Sequence, residues 1–164
     1  MWRTLKYNFL VLVILYSVIA VIFLIAKGYS ITRDTSSWID RAQVAADRED
    51  MLEYVGQLKK NMEKYGMTSG HTALIFKTPR NNMALHYKTV GRYIERLEGI
   101  KDLPKNETAY QVALADLRGS IRELPNPAFG WLWVCYFWWL LLIGIFVWVS
   151  CISFWVYCYC HKNS

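Results

Sequence analysis

Two long runs of apolar residues lie near the two ends of the sequence. Residues 8–26 and residues 131–157 each contain no charged side chain. About 20 consecutive apolar residues are needed to cross the hydrocarbon core of a bilayer as an α-helix. Both runs meet that length, so the pattern predicts two transmembrane helices, at 8–26 and at 131–157.

The first run has an alternative interpretation as a secretory signal peptide. The apolar region of a signal is shorter, about 7–15 residues, and ends in a cleavage site of small residues. Here the run is followed directly by Lys27-Gly28-Tyr29. The sequence therefore favours an uncleaved membrane anchor.

Between the two runs, apolar residues recur every three or four positions, which is typical of amphipathic helices. Residues 27–36 are predicted to be a polar connector. The first helix is predicted from Ser37 to Tyr65, with Gly66 as its C-terminal glycine. Its candidate N-caps are Asp34, Thr35, Ser36 and Ser37, and its apolar stripe is Trp38, Ala42, Ala45, Leu52, Val55, Leu58, Met62 and Tyr65.

Two further helices follow, from Asn82 to Lys101 and from Asn106 to Leu124. Asn106 is the expected N-cap of the last one, and Pro125 and Pro127 end it. The stripe of the second helix is Met83, Tyr87, Val90, Ile94 and Leu97, and that of the third is Tyr110, Leu114, Leu117, Ile121 and Leu124.

These elements predict an all-α membrane protein. Two transmembrane helices would flank an extracytoplasmic antiparallel bundle of about three amphipathic helices. The heptad-like spacing also fits a coiled coil between chains. The expected segments are an N-terminus at 1–7, spans at 8–26 and 131–157, a helical domain at 27–130 and a tail at 158–164.

Charge is confined to the central part of the chain. All 13 acidic residues lie between Asp34 and Glu123, and the formal net charge is +6. Arg3 and Lys6 precede the first run, and Lys162 follows the second. Because Lys and Arg flanking a span favour the cytoplasmic side, we expect both termini in the cytoplasm, at a cell (inner) membrane. Acidic and basic residues alternate along the helices, which argues against nucleic acid as a partner.

The segment 66–82 breaks the helical pattern, and it contains an apolar tetrapeptide. Leu74, Ile75 and Phe76 belong to this run, Ala73–Phe76. One interpretation is a loop that folds back onto the bundle. The other is an exposed contact surface for a partner.

Candidate chemistry is sparse. No catalytic arrangement and no cofactor site is recognisable, so the chain is not expected to be an enzyme. Cys158, Cys160 and His161 form the one dense set of metal ligands, although a closed tetrahedral site needs a fourth. Lipidation of the two thiols or a purely structural role are alternatives. Asn106 begins a glycosylation sequon.

The second apolar run is rich in tryptophan. Trp131 and Trp133 at one end and Trp155 at the other are placed for interfacial belts. Five other residues of this run are candidate contacts for a neighbouring helix. The small ones among them would allow that helix to approach closely. These candidates are Trp138, Trp139, Gly144, Trp148 and Cys151, with Ser17 and Ala20 as a matching surface on the first span.

The sequence thus indicates a non-enzymatic accessory or scaffold subunit of a membrane complex. Its partners would be the lipid bilayer and other membrane proteins, or a second copy. The alternative is a sensing or immunity-type protein whose external bundle binds a peptide, a toxin or an envelope component. The layout of two spans around a helical domain resembles the sensory halves of chemoreceptors and histidine kinases.

Overall fold

The computed structural model describes residues 2–73, 75–126 and 128–162. Within these ranges the chain is all-helical and forms no strand. In chain order the elements are α1 (Trp2–Gln43), α2 (Arg48–Lys64), a 3-10 turn (Pro79–Asn81), α3 (Met83–Gly99), α4 (Thr108–Arg122), α5 (Ala128–Leu132), a π-helical turn (Trp133–Phe137) and α6 (Trp138–Lys162).

The chain divides into two compact units. The terminal unit comprises residues 1–27 and 135–164, and the central unit comprises residues 28–134. Two helical segments, Leu10–Gln43 and Gly130–Tyr157, are long and apolar enough to cross a membrane. Within the chain, 6% and 0% of their most apolar windows are buried. Their apolar surface is therefore left uncovered by the protein itself, unlike that of a core helix in a soluble domain.

The predicted connector at 27–36 and the predicted N-caps at 34–37 are wrong, because α1 continues unbroken to Gln43. No proline interrupts this stretch, and its inward positions fall three or four residues apart. The hydroxyl of Thr35 is satisfied inside the helix, since it donates to the carbonyl of Ile31 at 2.7 Å. The buried positions are Ile31, Thr35, Ile39 and Ala42.

The single helix predicted from 37 to 65 is broken at 44–47, so that prediction is also wrong. Asp47 is the N-cap of α2, and its carboxylate accepts a hydrogen bond from the amide of Asp50 at 3.0 Å. The guanidinium of Arg118 donates to the carbonyls of Ala45, at 2.6 Å and 3.1 Å, and of Ala46, at 3.1 Å. The corner is thus held by a residue from α4.

The C-terminal end of α2 confirms the role predicted for Gly66. Its φ is +70°, in the left-handed region that glycine adopts without strain. Its amide donates to Glu63 at 3.0 Å, and the amide of Met67 donates to Met62 at 2.8 Å. This pair of bonds is a Schellman motif. It places Met67 in the core, fully buried.

Neighbouring helices of the central unit run antiparallel, because early residues of one contact late residues of the next. The contacts are Asp34–Lys64 and Trp38–Tyr54 for α1 and α2, Arg48–Leu97 and Glu63–Tyr87 for α2 and α3, and Tyr93–Ser120 and Arg96–Asp116 for α3 and α4. The shared core is Met51, Val55, Leu58, Met62, Met67, Met83, Val90, Leu97, Tyr110, Leu114, Leu117 and Ile121.

The N-terminal ends of α3 and α4 differ in how they are capped. Asn82 caps α3, with its side chain accepting from the amides of Ala84, at 3.0 Å, and Leu85, at 3.4 Å. The prediction that Asn106 is the N-cap of α4 is wrong. Its N-cap is Glu107, which makes no side-chain capping hydrogen bond.

The second apolar run was predicted to be one uniform helix, and this prediction is wrong. It begins in α5, passes through the π-helical turn and continues as α6. Trp131, expected at a membrane interface, is instead 8% exposed in the core of the central unit. Its indole N–H donates to the carbonyl of Tyr65 at 3.0 Å.

The carboxylate of Asp34 joins α1 to the end of α2. Its carboxylate accepts from the ammonium of Lys64 at 2.7 Å and from the hydroxyl of Tyr65 at 2.8 Å. The amide of Asn61 donates to its backbone carbonyl at 2.6 Å. Hydrogen bonding to Lys64, reinforced by Tyr65 and Arg33, lowers the pKa of Asp34 to about 2 against the desolvation that opposes it.

We expect Asp34→Asn to lower the free energy of unfolding by about 1 kcal/mol at neutral pH, because a hydrogen-bonded ion pair is lost. A carboxyl group whose pKa is lower in the folded chain stabilises the fold at pH values above its ordinary pKa. This contribution is lost as the pH falls towards the lowered pKa of the folded chain. The difference between the variant and the unmodified chain should therefore shrink as pH falls from about 4 to about 2. Denaturant unfolding in detergent micelles measures it. Asp40→Asn, at an exposed site on the same helix, is the control and should change little.

Candidate interaction surfaces

The segment between α2 and α3 is a closed loop with a fixed base. The amide of Thr72 donates to the carbonyl of Asn81 at 2.8 Å, and the amide of Met83 donates to Gly70 at 2.9 Å. Gly70 has a φ of +88°, and a Cβ at this position would lie 3.8 Å from the ring of Trp131. The base of the loop is therefore ordered against the second apolar run.

Residues 75–80, which we name the tip, are all exposed and follow that base. Asn81 holds the tip from within: its amide donates to the carbonyl of Phe76 at 2.6 Å, and its side-chain oxygen accepts from the amide of Thr78 at 3.0 Å. Ile75 is 82% exposed and Phe76 is 80% exposed. The interpretation that this run folds back onto the bundle is wrong for these two residues. Leu74 lies outside the described residues.

The charged side chains of the tip are both positive. Lys77 and Arg80 are exposed beside the apolar pair. The sequence has no acidic residue between Glu63 and Glu95. The tip thus combines two large apolar side chains with two cations and no anion.

The loop lies at the end of the central unit where the chain enters and leaves it. A Cβ on Gly130 would be 2.8 Å from both the Cβ and the carbonyl oxygen of Thr72, at the base of the loop. A Cβ on Gly28 would be 3.3 Å from the side chain of Leu132. Residues 28 and 130–132 are the two junctions of this unit with the apolar helices, so both junctions and the loop share one end.

The terminal unit carries a second apolar surface, a groove of about 310 Å³. Its two helices are joined by the hydroxyl of Tyr16, which donates to the carbonyl of Leu140 at 2.8 Å. A Cβ on Gly144 would lie 3.7 Å from the ring of Tyr16. The groove is lined by Tyr16, Ser17, Ala20, Val21, Leu24, Phe137, Leu140, Leu141, Gly144, Ile145 and Trp148.

The predicted helix-contact residues divide between this groove and the outer face of α6. Gly144 and Trp148 line the groove together with Ser17 and Ala20. Trp138 and Trp139 are exposed, and Cys151 is half-buried. The structure therefore brings Gly144 and Trp148 together in the groove and leaves Trp138, Trp139 and Cys151 outside it.

A cation marks one end of the terminal unit. The ammonium of Lys27 lies 5.9 Å from the ring centre of Phe23 and 5.8 Å from that of Tyr136. The two rings meet edge-on at 6.1 Å. Sequence periodicity does not reveal this cluster, because Tyr136 belongs to the π-helical turn and its direction follows from that irregularity.

Metal ligands are not grouped in the part of the chain that the structure describes. No three His, Cys, Asp or Glu side chains lie there in an arrangement that could hold a metal ion. Cys135 and Cys151 are free thiols. The side chains of Cys158, Cys160 and His161 lie outside the described residues, so a metal site at these positions stays a prediction.

Comparison of the chain with protein-family models, with curated proteins and with solved structures finds no match. A function for this protein therefore has to be inferred from its own residues and geometry. In the described part of the chain, the tip and the groove are two apolar surfaces that a partner can reach.

We expect Gly130→Ala to destabilise the base of the loop, because the new methyl group would overlap the backbone oxygen of Thr72. The net cost should be about 1–2 kcal/mol, the overlap outweighing the gain in helix propensity. Tryptic cleavage after Lys77 should become faster. Gly119→Ala is the control: a Cβ there meets nothing within 4 Å, so it should stabilise α4 by up to about 1 kcal/mol. Equal cleavage rates in both variants would contradict the tight contact.

Proposed function

We propose that this chain is a non-enzymatic integral membrane subunit with an accessory or scaffold role. It would cross the membrane twice, through residues 8–26 of α1 and through α6, with both termini in the cytoplasm and the central bundle on the other side of a cell membrane. It would act by helix–helix contacts within the bilayer and through the central bundle.

The groove of the terminal unit is the observation that carries this proposal. Helices associate in a bilayer through close packing, which small residues permit. Ser17 and Ala20 on α1 and Gly144 on α6 line the groove, and Trp148 forms part of its wall. A helix of another membrane protein, or of a second copy, would bury apolar surface there without having to displace a charged side chain.

A sensing or immunity-type role is the second candidate, and the exposed Ile75 and Phe76 favour it. In that case the tip would be the contact for a peptide, a toxin or an envelope component. Replacing both residues with serine would abolish partner binding and leave the groove-dependent association unchanged. The two candidates are thus separated by which surface the association depends on.

Filling the groove tests the first candidate. We expect Ala20→Leu combined with Gly144→Leu to weaken association in the membrane at least about tenfold, since about 1.4 kcal/mol of packing energy corresponds to that factor. Association is measured between labelled chains, and with co-isolated membrane proteins, in native-lipid nanodiscs. Ser153→Leu, at an exposed position on α6 outside the groove, is the control and should associate normally. A chain that migrates alone as a monomer before any substitution would refute the proposal.

A further inference from the structure

The tip lies beside both junctions of the central unit, and this position decides what it can touch. Gly130 packs against Thr72 at the base of the loop, and Trp131 reaches Tyr65 just before it. If both apolar helices enter a bilayer, the end of the central unit that carries these junctions faces that bilayer. The tip projects from this same end.

The opposite end of the central unit provides a contrast within one chain. Val44, in the corner between α1 and α2, is 80% exposed, which matches Phe76. At 1.5 Å per residue, α1 carries the chain about 24 Å from Gly28 to this corner. Two equally exposed apolar sites therefore lie at opposite ends of the unit, and one of them lies beside the junctions.

The chemistry of the tip fits a lipid surface. Large apolar side chains enter the boundary between headgroups and acyl chains, while Lys and Arg remain among the headgroups and attract anionic lipid. Ile75 and Phe76 supply the first component, and Lys77 and Arg80 supply the second. The absence of acidic residues from Lys64 to Ile94 removes the main source of repulsion from an anionic surface.

The size of the tip argues against a protein as its main partner. Two large side chains offer roughly 300–400 Å². A stable protein interface needs about 800 Å² from each partner. A lipid contact requires no such area, because the two apolar helices would already hold the protein at the membrane.

We propose that the tip, residues 75–80, inserts into the headgroup region of the bilayer that holds the two apolar helices, with a preference for anionic lipid. The inference rests on the proposed two-pass arrangement. The contact would be a third attachment of the central unit to the membrane, besides its two covalent junctions.

Fluorescence quenching by lipid tests this placement on the full chain. The four cysteines are replaced by alanine, and Phe76→Cys or Val44→Cys is labelled with a polarity-sensitive fluorophore. The protein is reconstituted in nanodiscs of phosphatidylcholine and phosphatidylglycerol that carry a nitroxide near the top of the acyl chains. We expect emission at position 76 to shift to the blue and to be quenched several-fold more strongly than emission at position 44.

The charges are tested in the same discs. Lys77→Gln combined with Arg80→Gln should reduce the quenching at position 76, as should discs of phosphatidylcholine alone. Added salt should act in the same direction, because it screens the attraction between the cations and the anionic lipid. Quenching at position 76 that is unchanged by the substitutions, by the change of lipid and by added salt would overturn the preference for anionic lipid.

A label at Ile152→Cys, an exposed position on α6, separates failure of this inference from failure of the proposed function. If position 152 is quenched and position 76 is not, the tip contact is wrong and the two-pass arrangement stands. If neither is quenched, both fail. Protection of position 76 in native membrane vesicles but not in pure-lipid discs would identify a protein partner, and would overturn the lipid contact.

A second measurement avoids the cysteine replacements. Hydroxyl-radical footprinting of the unmodified chain in the same discs should show Phe76 protected relative to the chain in discs of phosphatidylcholine alone. Oxidation of Val44 and of Val112, which are exposed on the central unit, should not depend on the lipid. Oxidation of Phe76 that is equally insensitive to the lipid would contradict the proposal.

Discussion

The side chain of Trp131 joins parts of the central unit that lie far apart in the sequence. Its indole N–H donates to the carbonyl at the C-terminal end of α2, and its ring lies beside Gly70 in the loop that follows. The adjacent Gly130 allows Thr72 to approach closely, and a larger residue there would separate them. This cluster packs against the base of the loop that presents Ile75 and Phe76.

A π-helical turn lies immediately after this cluster, between the buried and the exposed tryptophans of the second apolar run. A π-helical turn inserts an extra residue, which shifts the helical phase of the residues after it by about 100° relative to the pattern of an unbroken α-helix. Before the turn, Trp131 is part of a packed core. After it, Trp138 and Trp139 are exposed on α6. In an uninterrupted α-helix, the directions of Trp138 and Trp139 relative to Trp131 would follow from the 3.6-residue period alone.

Much of the architecture was predictable from the sequence, and each miss has an identifiable physical cause. The two apolar runs, the stripes of α3 and α4 and the glycine after α2 all follow from patterns within one element. The break at 44–47 does not, because its carbonyls are held by Arg118, some 70 residues away. The polar residues at 34–37 looked like caps, but the hydroxyl of Thr35 bonds within its own helix. The exposure of Ile75 does not follow from the sequence, because only the folded path of the loop determines it.

The methionines of the central unit are not spread evenly through its core. Met62, Met67 and Met83 are buried around the base of the loop, and Met51 is the one buried methionine near the other end of α2; the described core of α4 consists of Tyr110, Leu114, Leu117 and Ile121. Unbranched thioether side chains change rotamer easily and fill irregular space, whereas branched aliphatic and aromatic groups pack in fewer ways. The core beneath the loop is therefore the softer part of the unit. Small displacements of the loop can be absorbed there by repacking of the three methionines, while the helices on the far side keep their register.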